Sequence, residues 1–525
     1  MAAGGVSKLP TELLGIVLSS LTRRELIEIS PVCRVWRQAA TRLDSRFYLE
    51  AGYSQHLFAD RQVHLQRILD ASQHALDWGF KLRLWFSMHT GEWDDNNSVH
   101  EIERALPLFE EFCNVLERTL HILLDLMIFV PESWQPPLSG SAPYLRGLEF
   151  GRVYQTQLGR VIPQLPPAPV PRTLLNADAP RLRVLQLDDA APGDVPQPVF
   201  AQVVELGLVY TDNSSIPSMC LADHFPALKH LRIVLWEEAS NAEEAVPLRL
   251  GDLTLDRLDV EDRADAFFPH FLGTEHVMTI PSIICRTTEQ HINGGFLTSC
   301  IAGDDALRLQ LACVNAPSFD ENDHNEGGIV LVVSTMDEQR PRTRVYVGDV
   351  DDVHLFHLFN FNPQLGERLV IIQLELFFAK SLSDVGVSLP KLSTIDFWLR
   401  HDWVYWDDVP GVRYTIGAED EIGRRHFAFI ELLTLPSLSV LRFTALGSRR
   451  SVMRHYVFEL SARFATVQPR SLRLELAGVD LIGPDTSHDQ TVLEIVELDY
   501  FISTEDQLGV LYDETDGVQV FGADR

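Results

Sequence analysis

Apolar residues recur along this chain at two different spacings, and the change from one to the other divides it. Between Pro10 and Leu21 they leave only a narrow polar strip. Leu13, Ile16 and Val17 share one helical face, Leu14, Leu18 and Leu21 form a second, and Glu12, Gly15 and Ser19 stay outside. Pro10 suits the first position of that helix, where its missing N–H has no partner to lose. Thr22-Arg23-Arg24-Glu25 has capping-box form and predicts a second helix carrying Leu26 and Ile29 inward. Ser30-Pro31 repeats the cap-plus-proline start, and a third helix sets Val32, Val35, Trp36 and Ala39 on one stripe. A unit of about 40 residues cannot bury all of that surface itself. Either the rest of the chain or a partner must cover it.

The run Leu9-Pro10-Thr11-Glu12-Leu13-Leu14, followed by Ile16, Leu21, Leu26 and Pro31-Val32-Cys33-Arg34-Val35-Trp36-Arg37, resembles an F-box over residues 6–51. The resemblance implies a substrate adaptor of an SCF ubiquitin ligase complex. Its N-terminal helices dock on the Skp adaptor, and through it on cullin, while the remainder selects a target for ubiquitin-dependent degradation. On this resemblance Leu9, Pro10, Leu13, Ile16 and Val32 form the adaptor contact, and Leu21, Leu26 and Trp36 form the core of the three helices. Pro31 departs from the aliphatic residue usual in the family, a change that a helix start tolerates.

Beyond Tyr53 the spacing becomes that of long helices followed by short strands. His64 to Leu76 and Val99 to Leu116 read as helices, Leu82 to Phe86 and His121 to Ile128 as strands. A proline followed by Leu-x-x-Leu-x-Leu, or a variant, then recurs from Pro143, Pro180, Pro226, Pro390, Pro436 and Pro469. Weaker copies lie at Val203 to Leu208, Leu255 to Val260, Leu307 to Leu311 and Leu493 to Leu498. Many neighbouring copies are about 20 to 40 residues apart, so insertions are implied. The cassette resembles a degenerate leucine-rich repeat. That resemblance implies parallel strands, a continuous aliphatic core and helices on the outer side. The Asn or Cys expected after each strand is missing, with Ala190, Trp236 and Leu399 in its neighbourhood. Between about Phe267 and Phe378 the segments Gly328 to Ser334 and Leu369 to Phe378 are strand-rich but lack the cassette.

The expected fold is therefore α/β: an N-terminal three-helix F-box followed by an irregular leucine-rich-repeat-like α/β solenoid. The expected division is 6–51 F-box, 52–142 helix-strand connecting region, and 143–525 repeat-like substrate-recognition region. An ordinary mixed α/β domain is the competing reading of the cassettes.

Composition narrows the partners. The 74 acidic residues exceed the 44 basic ones, giving a formal charge of −30 that repels nucleic-acid backbones and anionic membrane surfaces. Protein partners are expected, neither nucleic acid nor membrane. The six cysteines show no C-x-x-C pair, so neither a zinc site nor a disulfide framework is expected. Without a secretory leader or a long apolar run, a cytoplasmic or nuclear location is expected.

No phosphate-binding, dinucleotide, nucleophile-elbow or zinc-protease motif occurs, and no catalytic residue, metal or cofactor is assigned. His354 and His357 have a ligand-like i, i+3 spacing but lack a nearby third ligand, and Phe356, Leu358 and Phe359 fit a packed helix. Ser487-His488-Asp489 holds triad residue types without triad geometry. The proline-rich segment 164–171 reads as an extended surface insertion. Trp403, Tyr405, Trp406, Asp407 and Asp408 combine aromatic anchors with carboxylates, the composition of a target-binding site for a basic partner. The same aromatics could equally alternate into a strand core.

Overall fold

The computed structural model describes residues 48–54, 61–78, 81–87, 98–131, 138–153, 168–170, 178–210, 219–235, 249–261, 279–286, 305–313, 328–337, 341–349, 363–375, 388–399, 435–446, 449–454, 472–483 and 494–498, with single positions at 134, 175, 457, 458, 460, 461 and 464. Two compact units result: Met1–Leu231 with Leu248–Leu253, and Arg232–Pro247 with Thr254–Arg525.

The first unit opens on β1 (Tyr48–Ser54), α1 (Arg61–Trp78), β2 (Lys81–Ser87), α2 (Ser98–Thr119) and β3 (Leu123–Pro131). Next come β4 (Gly147–Val153), the two-residue β5 (Ala168–Pro169), β6 (Val184–Asp188), β7 (Ala190–Ala191) and β8 (Glu205–Tyr210). Short α3 (Leu221–His224) then precedes β9 (His230–Leu235), whose first two residues belong to this unit. Strands β1, β2, β3, β4, β6 and β8 pair in chain order, each parallel to the next. Parallel order demands a crossover between neighbours, and α1 and α2 supply the first two.

Alternation along these strands builds straight rows. Leu84, Leu126, Leu148, Leu185 and Leu206 stand in register on five neighbouring strands, and Phe86, Ile128, Phe150, Leu187 and Leu208 form the next row. All ten are buried. Helix α1 packs on β1 and β2, and α2 on β2 and α1. Phe86 meets Phe112 of α2 at 5.1 Å between ring centroids, and Phe109 stacks on Trp134 at 4.9 Å. Such aromatic pairs add about 0.5–1.5 kcal/mol beyond area burial. Exposed Pro107 sits inside α2 and leaves the carbonyl four residues back without its N–H partner.

The proline cassettes have a common local cause. A buried residue accepts a hydrogen bond from the backbone N–H three residues on: Leu145 to Ala142 at 3.1 Å, Leu182 to Ala179 at 3.0 Å, and Leu228 to Phe225 at 3.0 Å. In the second unit Leu392 bonds to Leu389 and Leu438 to Leu435, both at 3.2 Å. This is a β-turn with proline at its second position, where fixed φ costs nothing. Each turn tucks one apolar residue beneath the sheet, then releases the chain into the next strand.

The second unit continues with β10 (Arg257–Glu261), β11 (Ser282–Arg286), β12 (Leu307–Cys313), β13 (Gly328–Thr335), β14 (Thr343–Asp349), α4 (Pro363–Arg368), β15 (Leu369–Glu375) and β16 (Thr394–Leu399). It ends on β17 (Val440–Ala445), β18 (Arg450–Met453), β19 (Arg473–Ala477), β20 (Val479–Ile482) and β21 (Glu494–Leu498). Strands β15, β16, β17, β19 and β21 are parallel and in chain order, with Ile372, Ile395, Leu441 and Leu474 in one buried row. Strands β18 and β20 form a separate parallel pair.

Three expectations need correction. The cassettes at Leu392, Leu438 and Leu472 precede mutually parallel strands, but chain order breaks in the region that lacks them. There β14 pairs with β11 in parallel, β13 is antiparallel to both β14 and β12, and β12 pairs with β15 in parallel. A meander thus replaces single strands without reversing the direction of those on either side. Among the described residues the expected outer helices are also sparse. Between β7 and β8 the crossover holds only a 3-10 turn, Pro198–Phe200, because Pro192, Pro196, Pro198 and left-handed Gly193 (φ 88°) exclude an α-helix. The proline-rich segment is likewise not a simple surface insertion. Its end is fixed by β5–β7 pairing, and Val170 is buried and held by a backbone bond to Ala191.

Candidate functional site

Opposite the aliphatic rows, each strand carries the residues that alternate with them. In the second unit these form a polar ladder. Gln310, Gln373, Asp396, Arg442 and Glu475 stand in register on five neighbouring strands. Gln310 Nε2 donates to Gln373 Oε1 at 3.0 Å, and Gln373 Nε2 to Asp396 Oδ2 at 3.0 Å. Thr444 Oγ1 donates to Asp396 Oδ1 at 2.7 Å, and Arg442 Nε to Glu475 Oε2 at 2.7 Å. Arg473 Nε closes the series 3.2 Å from Glu475 Oε1.

Asp396 is 1% exposed. Burial pushes its carboxyl above the usual range, against the hydrogen bonds from Gln373 and Thr444 and the nearby Arg442 charge. Asp259 of β10 repeats the pattern: burial raises it, while Arg286 at 3.5 Å and Arg257 at 3.8 Å favour the ionised form. Beside the ladder the same face turns apolar. Ile284, Ala312, Val330, Val332, Val345, Trp398 and Leu446 form one buried cluster.

The first unit presents a shorter version. Arg83 Nε lies 2.6 Å from Asp125 Oδ2, and Gln186 Nε2 donates to Glu149 Oε1 at 2.8 Å. Beyond them Phe129, Gly151 and Asp188 share a row. Burial and then the neighbouring Asp189 push the Asp188 carboxyl up to about 7. Buried Cys113 is inert for thiolate chemistry, since burial and then Glu110 push its thiol up to about 12.

Chemically these rows brace the sheet. A ladder whose members already donate to and accept from one another fixes neighbouring strands in register, and it leaves polar edges at its ends. Among the described residues no group of three or more His, Cys, Asp and Glu is placed to hold a metal ion. None of their helices is long and apolar enough to cross a membrane.

The site residues singled out from the sequence are not described by the structure. Leu9, Pro10, Leu13, Ile16, Val32, Leu21, Leu26 and Trp36 are outside the described residues, as are Trp403, Tyr405, Trp406, Asp407 and Asp408. So are His354, His357 and Ser487-His488-Asp489. The ladder itself was missed, although its signal is present: the cassettes hold a polar residue between two apolar ones, as in Ile395-Asp396-Phe397, Leu441-Arg442-Phe443 and Leu474-Glu475-Leu476, and Ile372-Gln373-Leu374 shows the same pattern outside them.

Comparison with known proteins adds the N-terminal module. No curated protein matches the chain. Residues 6–50 match the F-box-like family model, so the chain carries an F-box-like domain whose matched residues run into the start of β1.

Proposed function

We propose that this protein is a substrate-recognition subunit of an SCF-type cullin-RING ubiquitin ligase. The observation that carries this reading is the F-box-like domain at residues 6–50 followed by a much longer strand-rich region. F-box domains bind the Skp adaptor, and the strands beyond supply a large surface on which a protein target is held for ubiquitin transfer by other subunits. Parallel pairing in chain order supports reading that surface as a degenerate, leucine-rich-repeat-like solenoid interrupted by the β12–β14 meander. The chain itself performs no catalysis in this reading. It works in the cytoplasm or nucleus, where its target is ubiquitinated and degraded. The Trp403–Asp408 segment contributes aromatic and acidic contacts to a basic target.

Pull-down of the full chain with the Skp adaptor and cullin tests the assignment. Both should be retained by the wild type and lost by the Leu9→Ala/Pro10→Ala/Ile16→Ala triple variant. Retention of the adaptor without cullin favours the alternative, a Skp-binding scaffold outside a ligase. Undiminished adaptor binding by the variant removes the contact assignment.

A further inference from the structure

We infer that the outer edge of β21 receives an extended segment of a partner protein, one that sets an aliphatic residue beside Ile495 and a lysine or arginine beside Glu497. Strand β21 pairs with β19 along one edge, placing Leu474 beside Ile495 and Leu476 beside Glu497. Among the described residues no strand pairs with its other edge. A strand turns the N–H and C=O groups of alternate residues to opposite sides, so a row of donors and acceptors faces outward there. Another extended chain matches that row, about 4.8 Å from β21.

The sheet stops here before its apolar layer does. Ile372, Ile395, Leu441 and Leu474 cross four strands at no more than 1% exposure, and Ile495 continues their row at 42%. In the next row Leu374, Phe397, Phe443 and Leu476 are buried, whereas β21 supplies the exposed Glu497. On its opposite face Val496 and Leu498 are only half-buried. Proline, a bulge or lysine commonly closes such an edge, and β21 has none of the three. Its carboxylate at Glu497 closes the edge to like charge alone.

Charge therefore selects the occupant. A second copy of this chain brings the same strand and a formal charge of −30, and residues 499–525 hold seven acidic residues against Arg525 alone. Both oppose the charge of Glu497. An incoming strand with a basic residue two positions from an aliphatic one carries both on one face. Its cation pairs with Glu497 while its aliphatic side chain extends the row past Ile495.

As the place where a target is received, this edge rests on the receptor reading above. Peptide binding, however, is measured on the chain alone, so its failure is distinct from failure to capture the Skp adaptor. The probe is fluorescein-labelled Lys-Val-Ile-Val-Lys, which offers the same pattern in either strand direction, titrated with the full chain by fluorescence anisotropy. Saturable binding is expected. Glu497→Lys should weaken it about tenfold by replacing an attractive cross-strand pair with a repulsive one. The same variant should gain binding of Glu-Val-Ile-Val-Glu, which the wild type does not bind. Ile495→Thr should weaken the lysine probe about fivefold through lost apolar contact. Ile482→Thr, which removes an exposed aliphatic side chain from β20, should change nothing. A probe N-methylated at its three central residues lacks the backbone donors of a strand and should not bind. Circular dichroism checks that each variant is folded. Absence of probe binding, equal binding of the N-methylated probe, or an unchanged probe preference in folded Glu497→Lys would overturn the proposal. So would a dimer of the free chain that Ile495→Thr dissociates, since the edge would then belong to a second copy.

Discussion

The Phe129 ring lies directly against Gly151 on the neighbouring strand: a Cβ built on Gly151 would fall 2.3 Å from both Phe129 Cδ1 and Cε1, and 3.1 Å from Asp188 Cβ. Glycine is required here by space rather than by backbone conformation. Gly151→Ala should therefore destabilise the first unit by about 1–3 kcal/mol, the usual cost of overpacking. Chemical denaturation measures it. In a Gly151→Ala/Phe129→Ala variant the added methyl no longer meets the ring, so the effects of the two substitutions should not add. Strict additivity would show that the contact is relieved elsewhere.

Asp188 beside this pair gives a pH dependence of definite sign. Its carboxyl is raised to about 7 in the folded protein, against about 3.9 in an unfolded chain. The folded state thus holds the proton more tightly, and stability falls as pH rises from about 4 through 7. Asp188→Asn removes this dependence. The stability difference, variant minus wild type, should become more favourable to the variant between pH 4 and pH 8 in parallel urea titrations. A difference that is flat in pH would refute the assignment.

In the polar ladder, Gln373 and Thr444 satisfy the two oxygens of buried Asp396. Gln373→Leu or Thr444→Val should each cost about 1–3 kcal/mol, because an acceptor is left buried without its donor. A double-mutant cycle with Asp396→Asn should show coupling, whereas pairing Gln373→Leu with Ser72→Ala in the first unit should be additive.

Within the F-box-like domain, Trp36 and the adaptor anchors should separate experimentally. Trp36→Ala is expected to cost about 3–5 kcal/mol, the usual loss for a buried tryptophan. It should abolish Skp capture together with helical signal in a fragment of residues 1–51. The Leu9→Ala/Pro10→Ala/Ile16→Ala variant should lose capture while keeping helicity.

For the segment around Trp403 to Asp408, target capture should weaken with salt and with Asp407→Asn/Asp408→Asn. Trp406→Ala should lower affinity at every salt concentration, since screening over about 8 Å at physiological ionic strength leaves buried aromatic contacts largely intact. Full binding by both folded variants would move recognition elsewhere.

Local rules were enough to make much of this protein legible in its sequence. Helices α1 and α2 follow from apolar residues on one face, and the strands after Leu145, Leu182, Leu228, Leu392 and Leu438 follow from a turn whose proline fixes φ and whose leucine is buried. Those are interactions over three or four residues, which composition and spacing determine. Register is different, because it joins residues far apart in the chain. The hydrogen bond from Gln310 to Gln373, the contact of Thr444 with Asp396, and the placing of β12 beside β15 rather than β11 depend on which strands become neighbours. Only the assembled sheet decides that. The polar residue inside each cassette was visible as a pattern, but pairing was needed to turn separate Gln, Asp, Arg and Glu side chains into one ladder. Likewise, Arg146, Arg183 and Lys229 are scattered over more than eighty positions of an acidic sequence, and parallel pairing at one strand spacing gathers them on a single edge.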